Sequence, residues 1–224
     1  GELFSGLALG TFVVLGSYVV MTGSPEMAIK DLFPLDVILM SIPPGILTAL
    51  LLLINEFPDV EADKMGGRKH LVIWLGRKKA AYIYTLGMVA TFGVIIGAAL
   101  FNIVSPWFML ALLPMPLAYK ASLGAIRHGQ DTPKLVSALG MNVLTVLGTD
   151  LFIAVAVMME TLYRNFSLFL LFSKGYFIPF EDGIKPGYEN RLKDKQMAQC
   201  IAAGKHYSIA YCEIIRLKLL KRFV

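Results

Sequence analysis

Residues 80–119 are forty consecutive positions without a charged side chain, and no other feature of the chain restricts its fold as much. The hydrocarbon core of a bilayer is about 30 Å thick and takes about 20 apolar helical residues to cross. The run therefore holds two spans, and Asn102 to Pro106, NIVSP, is the expected break between them. Three more runs share its character: 3–25 and 37–54 carry no charge, and 135–159 carries only Asp150. With 56% hydrophobic residues, 17% charged and a mean hydropathy of +0.65, the chain lies outside the composition of a soluble globular domain. In lipid only helices and closed barrels satisfy every backbone group, and runs this long and continuous are helical. The expected fold is all-α, a polytopic membrane helix bundle with five spans and the lipid bilayer as its surroundings. No nucleic-acid partner is expected.

The distribution of charge predicts the orientation. Lys64, Arg68, Lys69, Arg77, Lys78 and Lys79 lie between the second and third spans, and Lys120, Arg127 and Lys134 between the fourth and fifth. The other two connections hold only Lys30 and no basic residue. Short loops rich in Lys and Arg stay on the cytoplasmic side, so both basic connections are expected there, in a multi-pass protein of the cell membrane.

Gly6, Gly10 and Gly16 make the first span glycine-rich, and GLALG at 6–10 has the small-xxx-small spacing of closely packed membrane helices. Pro43 and Pro44 each remove a backbone donor from the second span and are expected to bend or break it. Cys200 and Cys212 form neither a zinc pattern nor a readable disulfide framework. Residues 160–224 hold eleven of the 21 basic residues and read as an unassigned tail, partly amphipathic or disordered. The basic stretch YCEIIRLKLLKRF near its end suits a short surface helix or a solvated one.

Chemistry is concentrated where the second span ends. INEFPDVEADKMGGRKHLVIWLG, from Ile54 to Gly76, places acids on the near side of a turn and bases on the far side. Asn55, Asp59 and Asp63 are spaced i, i+4, i+8, which on a helix advances only about 40° per step and lines one face with oxygen ligands. Magnesium takes six oxygens, keeps several waters, and is commonly held by one or two carboxylates together with substrate phosphates. Such a face suits Mg2+ bridging to a diphosphate, with Asp59 and Asp63 as its ligands. Arg68 as a fork and Lys69 as a point charge would meet the remaining phosphate charge, and Gly66 and Gly67 allow the turn between. A solvated helix end marking the membrane boundary is the plainer reading of the same charges.

This stretch resembles the second aspartate-rich motif of the UbiA superfamily of intramembrane aromatic prenyltransferases, in which N-x-x-x-D-x-x-x-D precedes a Gly-Lys-Arg-Thr-Leu type segment and Val-x-Leu-Gly. Here the elements read NEFPDVEAD, GRKHL and VIWLG. The opening GELFSGLALGTFVVLGSYVVMTG is similar to the fifth helix of the branch that prenylates 1,4-dihydroxy-2-naphthoate towards menaquinone. The resemblance covers residues 1–159 and implies five helices from the C-terminal part of a nine-helix fold around a lipid-facing cavity, with the second motif at 55–70. It implies Mg2+-dependent transfer from a polyprenyl diphosphate to an aromatic acceptor such as dihydroxynaphthoate. In those terms Asp59 and Asp63 are catalytic and metal-binding, and Asn55, Arg68 and Lys69 bind substrate. The first four helices and the first aspartate motif are not in the sequence, so the chain is expected to start mid-protein and to be inactive alone.

Other residues are weighed against these. His70 stands where the family usually has Thr and reads as a local variation. Glu56 faces away from its neighbour Asn55 on a helix and ranks below Asp59 and Asp63 as a metal-side acid. Structural roles are expected for Glu2, Tyr18 and Tyr119, interface anchoring for Trp74, Trp107 and Tyr119, and for Asp150 either function or pairing with Asn142. The competing function is a polytopic transporter with a cation-binding cytoplasmic loop. A transporter would be expected to carry its site near the midplane of repeated halves, whereas this cluster ends a helix and the chain has no internal repeat.

Overall fold

The computed structural model describes residues 1–24, 27–28 and 32–173, with side chains as far as 166, and these belong to one compact unit, Gly1–Ser173. The expectations for Lys30 and for the tail beyond 173 lie outside the described residues. Helix α1 spans Glu2–Thr22, with a π-helical turn at Leu7–Thr11. It is followed by α2 (Leu35–Met65), the short α3 (Leu71–Leu75) and α4 (Arg77–Leu100). A 3₁₀ segment, Pro106–Leu112, leads into α5 (Met115–His128), and α6 runs over Thr132–Ser173. Five segments are long and apolar enough to cross a membrane: Glu2–Thr22, Leu35–Met65, Arg77–Leu100, Pro106–His128 and Thr132–Phe166. The uncharged run at 80–119 is divided as expected: Asn102, in the left-handed region at φ 54, helps turn the chain out of α4, and the Ser105 hydroxyl accepts from Trp107 N–H to start the 3₁₀ segment. At its far end α6 runs on through residues 160–173 without a break.

The bundle is organised around α2, which packs against α1, α4 and α6 and buries Leu47, Leu53, Ile54 and Phe57 almost completely. Lipid is as apolar as leucine, so helix association there depends on close packing and interhelical hydrogen bonds. The α1–α2 contact shows this. A Cβ on Gly6 would lie 2.5 Å from the Gly45 carbonyl oxygen, and one on Gly10 would lie 2.5 Å from Gly45 Cα. Thr11 adds a hydrogen bond from its hydroxyl to the Ser41 carbonyl, 3.3 Å. Gly16, by contrast, faces open space, so the tight seam is confined to Gly6 and Gly10.

Pro43 and Pro44 do not break the second span. Helix α2 runs through them and through Pro58 without interruption for 31 residues. In a membrane bundle, neighbouring helices and local adjustments accommodate the lost donors. Asn142 does not partner Asp150 either. Its Oδ1 accepts a hydrogen bond of 2.7 Å from the Tyr84 hydroxyl, while Asp150 is half-buried with Oδ1 lacking a hydrogen-bond partner.

Both basic connections come to one end of the bundle. The Phe57 ring lies against the α5–α6 turn, with Cε1 3.2 Å from where a Gly129 Cβ would sit, and Arg77 Nε donates to the Phe57 carbonyl at 3.0 Å. Away from that end, the Ser105 hydroxyl donates to Glu160 Oε2 at 2.7 Å, tying the 3₁₀ segment to α6. Trp74 and Trp107 are exposed at segment ends, positions that suit interface anchors.

Candidate functional site

The last turns of α2 carry the acidic residues, and the way the helix stops brings the basic ones back over them. Gly67 has φ +71. Its N–H donates to the Lys64 carbonyl at 3.1 Å, and the Arg68 N–H donates to the Asp63 carbonyl at 2.9 Å. This pair of bonds is the Schellman arrangement, which satisfies carbonyls that a helix end otherwise leaves free. It returns Arg68 to Asp63, so that guanidinium Nη1 lies 3.2 Å from Asp63 Oδ1. An L-residue in the left-handed conformation costs about 1–2 kcal/mol. Gly67→Ala should therefore lower the stability of the chain in detergent by about that amount, as read from thermal unfolding, and loosen the Arg68–Asp63 pair. Equal stability would show that the turn is not held in this form.

The result is a cleft of about 270 Å³ lined by Leu52, Asn55, Glu56, Asp59, Asp63, Arg68, Lys69 and His70. All five residues singled out by the motif, Asn55, Asp59, Asp63, Arg68 and Lys69, thus come together. Asn55, Asp59 and Lys69 are exposed, and among the described residues their side chains form neither ion pairs nor hydrogen bonds to other side chains. Asp63 is more enclosed, with one oxygen towards Arg68 and the other 3.2 Å from His70 Nε2. Each carboxylate oxygen retains a second lone pair, so these contacts leave Asp63 able to take a further partner.

Two residues ranked low from the sequence stand at the centre of the cleft. His70 is buried, with 7% of its side chain accessible, and its Nδ1 lies 3.2 Å from Glu56 Oε2. Glu56 is turned away from Asn55 but not from Asp63: seven residues make nearly two helical turns, leaving the pair only about 20° apart around the axis. That i, i+7 relation was the available signal. Glu2 enters from α1, and its Oε1 accepts from the Leu71 N–H at 2.8 Å, capping α3 across 69 positions of sequence. Its Oε2 lies 3.2 Å from the Gly1 nitrogen. Nothing local in the sequence announces that contact. Tyr119 is 67% exposed and does not line the cleft, and neither does Tyr18.

Oxygen ligands gathered at a helix end beside cationic side chains can hold a hydrated divalent ion and an anionic group together. Comparison with known proteins identifies the family. The chain is 33% identical over 137 residues to the 1,4-dihydroxy-2-naphthoate octaprenyltransferase of Bacillus subtilis (strain 168), a match that covers 61% of this chain and 42% of that relative. The chain thus matches about two-fifths of the length of its curated relative. No solved structure matches it. The UbiA prenyltransferase family matches residues 1–146, which take in the whole cleft and four of the five spans, and the chain belongs to that family.

Proposed function

We propose that this chain forms part of an enzyme that transfers a prenyl group from a polyprenyl diphosphate to an aromatic acceptor in quinone biosynthesis, with dihydroxynaphthoate or a similar ring as acceptor. The observation that carries the reading is the cleft itself. Its motif residues are brought together at a helix end, and Leu52 continues the lining towards the apolar interior. The relative's naphthoate substrate supports the choice of acceptor.

The donor set fits Mg2+. Asp59 presents an exposed carboxylate, Asn55 an amide oxygen one turn before it, and Asp63 a carboxylate one turn after it, all hard oxygen ligands of the kind this ion takes. When bound, the ion supplies Lewis-acid stabilisation of the charge that develops on the departing diphosphate. The rest is work for side chains. Lys69 is free to meet a phosphate oxygen, and Arg68 can share its guanidinium between Asp63 and a second one. Fixed charges aimed at a leaving group stabilise the transition state more than the ground state. The apolar helix faces exclude water from an allylic cation and leave it to the electron-rich ring.

On this reading the 55–79 connection faces the cytoplasm, as its basic residues favour. The match to about two-fifths of the relative supports a further element of the proposal: helices outside this chain supply a facing aspartate motif, and the chain alone is inactive. A transporter reading gains nothing from a cleft at a helix end. The test is to supply labelled polyprenyl diphosphate and dihydroxynaphthoate or 4-hydroxybenzoate to the full-length protein with Mg2+. A prenylated ring is the expected product. Vesicle uptake of a solute without any prenylated product would overturn the assignment.

A further inference from the structure

Beside the oxygen face lies a second group with different chemistry. Glu2, Glu56 and His70 each offer one ligand atom, and these atoms all lie within 4.8 Å of one another. They come from three elements: the start of α1, the end of α2 and the residue preceding α3. All three side chains are largely buried, with 15%, 13% and 7% accessible. Both ring nitrogens of His70 and Oε2 of Glu56 are buried without a hydrogen-bond partner of acceptable geometry, although Nδ1 and Oε2 are only 3.2 Å apart.

Two buried polar atoms that approach to ion-pair distance outside hydrogen-bond geometry are explained if a cation sits between them. Ligands about 2.0–2.2 Å from one metal lie roughly 3.0–3.5 Å apart when adjacent in octahedral or tetrahedral geometry, and 3.2 Å falls inside that range. A metal-ligating imidazole typically gives its other nitrogen to a carboxylate, which fixes the ring. Here Asp63 Oδ2 stands 3.2 Å from Nε2. Glu2 keeps its Oε1 on the Leu71 N–H, and its Oε2, 3.2 Å from the Gly1 nitrogen, retains a second lone pair with which to ligate.

We propose that Glu2, Glu56 and His70 form a binding site for a first-row transition-metal dication, distinct from the all-oxygen face of Asn55, Asp59 and Asp63. Imidazole among the ligands favours Zn2+, Co2+ or a similar borderline ion, whereas Mg2+ selects carboxylate, carbonyl and water. Three protein ligands leave positions open for water or a substrate oxygen. His70, ligated through Nδ1 and facing Asp63 through Nε2, joins the two faces. The proposal does not depend on prenyl transfer.

The experiment titrates the purified full chain, stripped with a chelator, with Co2+ followed by its visible absorption, and then with Zn2+. Wild type should take up Co2+ at a site that Zn2+ displaces and a hundredfold excess of Mg2+ does not. Loss of an outer-shell partner typically weakens metal binding about 10–100-fold, so removing a direct ligand by His70→Ala or Glu56→Gln should weaken it by at least about 100-fold. Asp59→Asn should leave it intact. Glu2→Gln keeps the acceptor for Leu71 and guards against a variant that fails to fold, with helix content followed by circular dichroism. The proposal is overturned if folded His70→Ala, Glu56→Gln and Glu2→Gln bind Co2+ as wild type does, or if only Asp59→Asn loses it.

Discussion

In the full-length protein, Asp59→Ala is expected to lower kcat/KM for prenyl transfer by about 10² to 10³, the usual effect of losing one source of transition-state charge stabilisation, here the ion that Asp59 would hold, and to leave the fold as it is. Asp59 is exposed and pairs with no cation among the described residues, so its removal breaks no packing. Asp63→Ala should lower activity by a similar factor but also disturb structure, because that carboxylate meets both Arg68 and His70. Thermal unfolding separates the two variants: Asp59→Ala should melt with wild type and Asp63→Ala below it. Combining them should cost less than the product of the single effects, since residues that act as a unit are not additive. Unchanged turnover in both single variants would remove the cleft from the catalytic site.

The second large effect concerns the α1–α2 seam. Gly10→Leu places a side chain where a Cβ alone would be 2.5 Å from Gly45 Cα and 2.7 Å from the Pro44 carbonyl oxygen. Both are backbone atoms of a proline-containing helix and cannot turn aside as a flexible side chain would. Overpacking of this kind costs about 1–3 kcal/mol or more, and in lipid no hydrophobic gain offsets it. Helix α1 should separate from α2 and carry Glu2 away from Leu71, exposing the α3 cap. The same substitution at Gly16, which faces open space, should be tolerated. Comparing the two variants by thermal unfolding and by hydrogen exchange at Leu71 tests the seam, and equal behaviour would contradict it.

How much of this is legible without the fold depends on the distance over which each interaction acts. The spans follow from charge-free runs, and the structure returns five of them: the first stops at Thr22, short of the end of its run, and the second continues past its run to Met65, carrying the acidic motif on the same helix. The face formed by Asn55, Asp59 and Asp63 follows from helical periodicity, a local rule. Glu56 obeys the same rule through its i, i+7 relation to Asp63. Setting it against its neighbour Asn55 concealed that relation. Burial of His70 depends on the Gly67 turn, which swings residues 68–70 back over α2. The reach of Glu2 to Leu71 depends on α1 docking against α2, and no local pattern encodes it. By position Arg77 reads only as part of the basic loop, yet in the fold its Nε donates to the Phe57 carbonyl. Pro43 and Pro44 leave the helix unbroken, because a penalty drawn from soluble helices is relieved within a membrane bundle.

On the proposed function, the end of α2 forms one wall of a site for a magnesium diphosphate. This is tested most directly by equilibrium binding of a non-ionising polyprenyl diphosphate analogue to the full-length protein across a Mg2+ titration. Binding should require Mg2+, should be lost in Asp59→Asn, and should weaken about tenfold in Lys69→Ala, the loss of one charged contact worth about 1.4 kcal/mol. Binding that is independent of Mg2+ and equal in wild type and Asp59→Asn would contradict the claim.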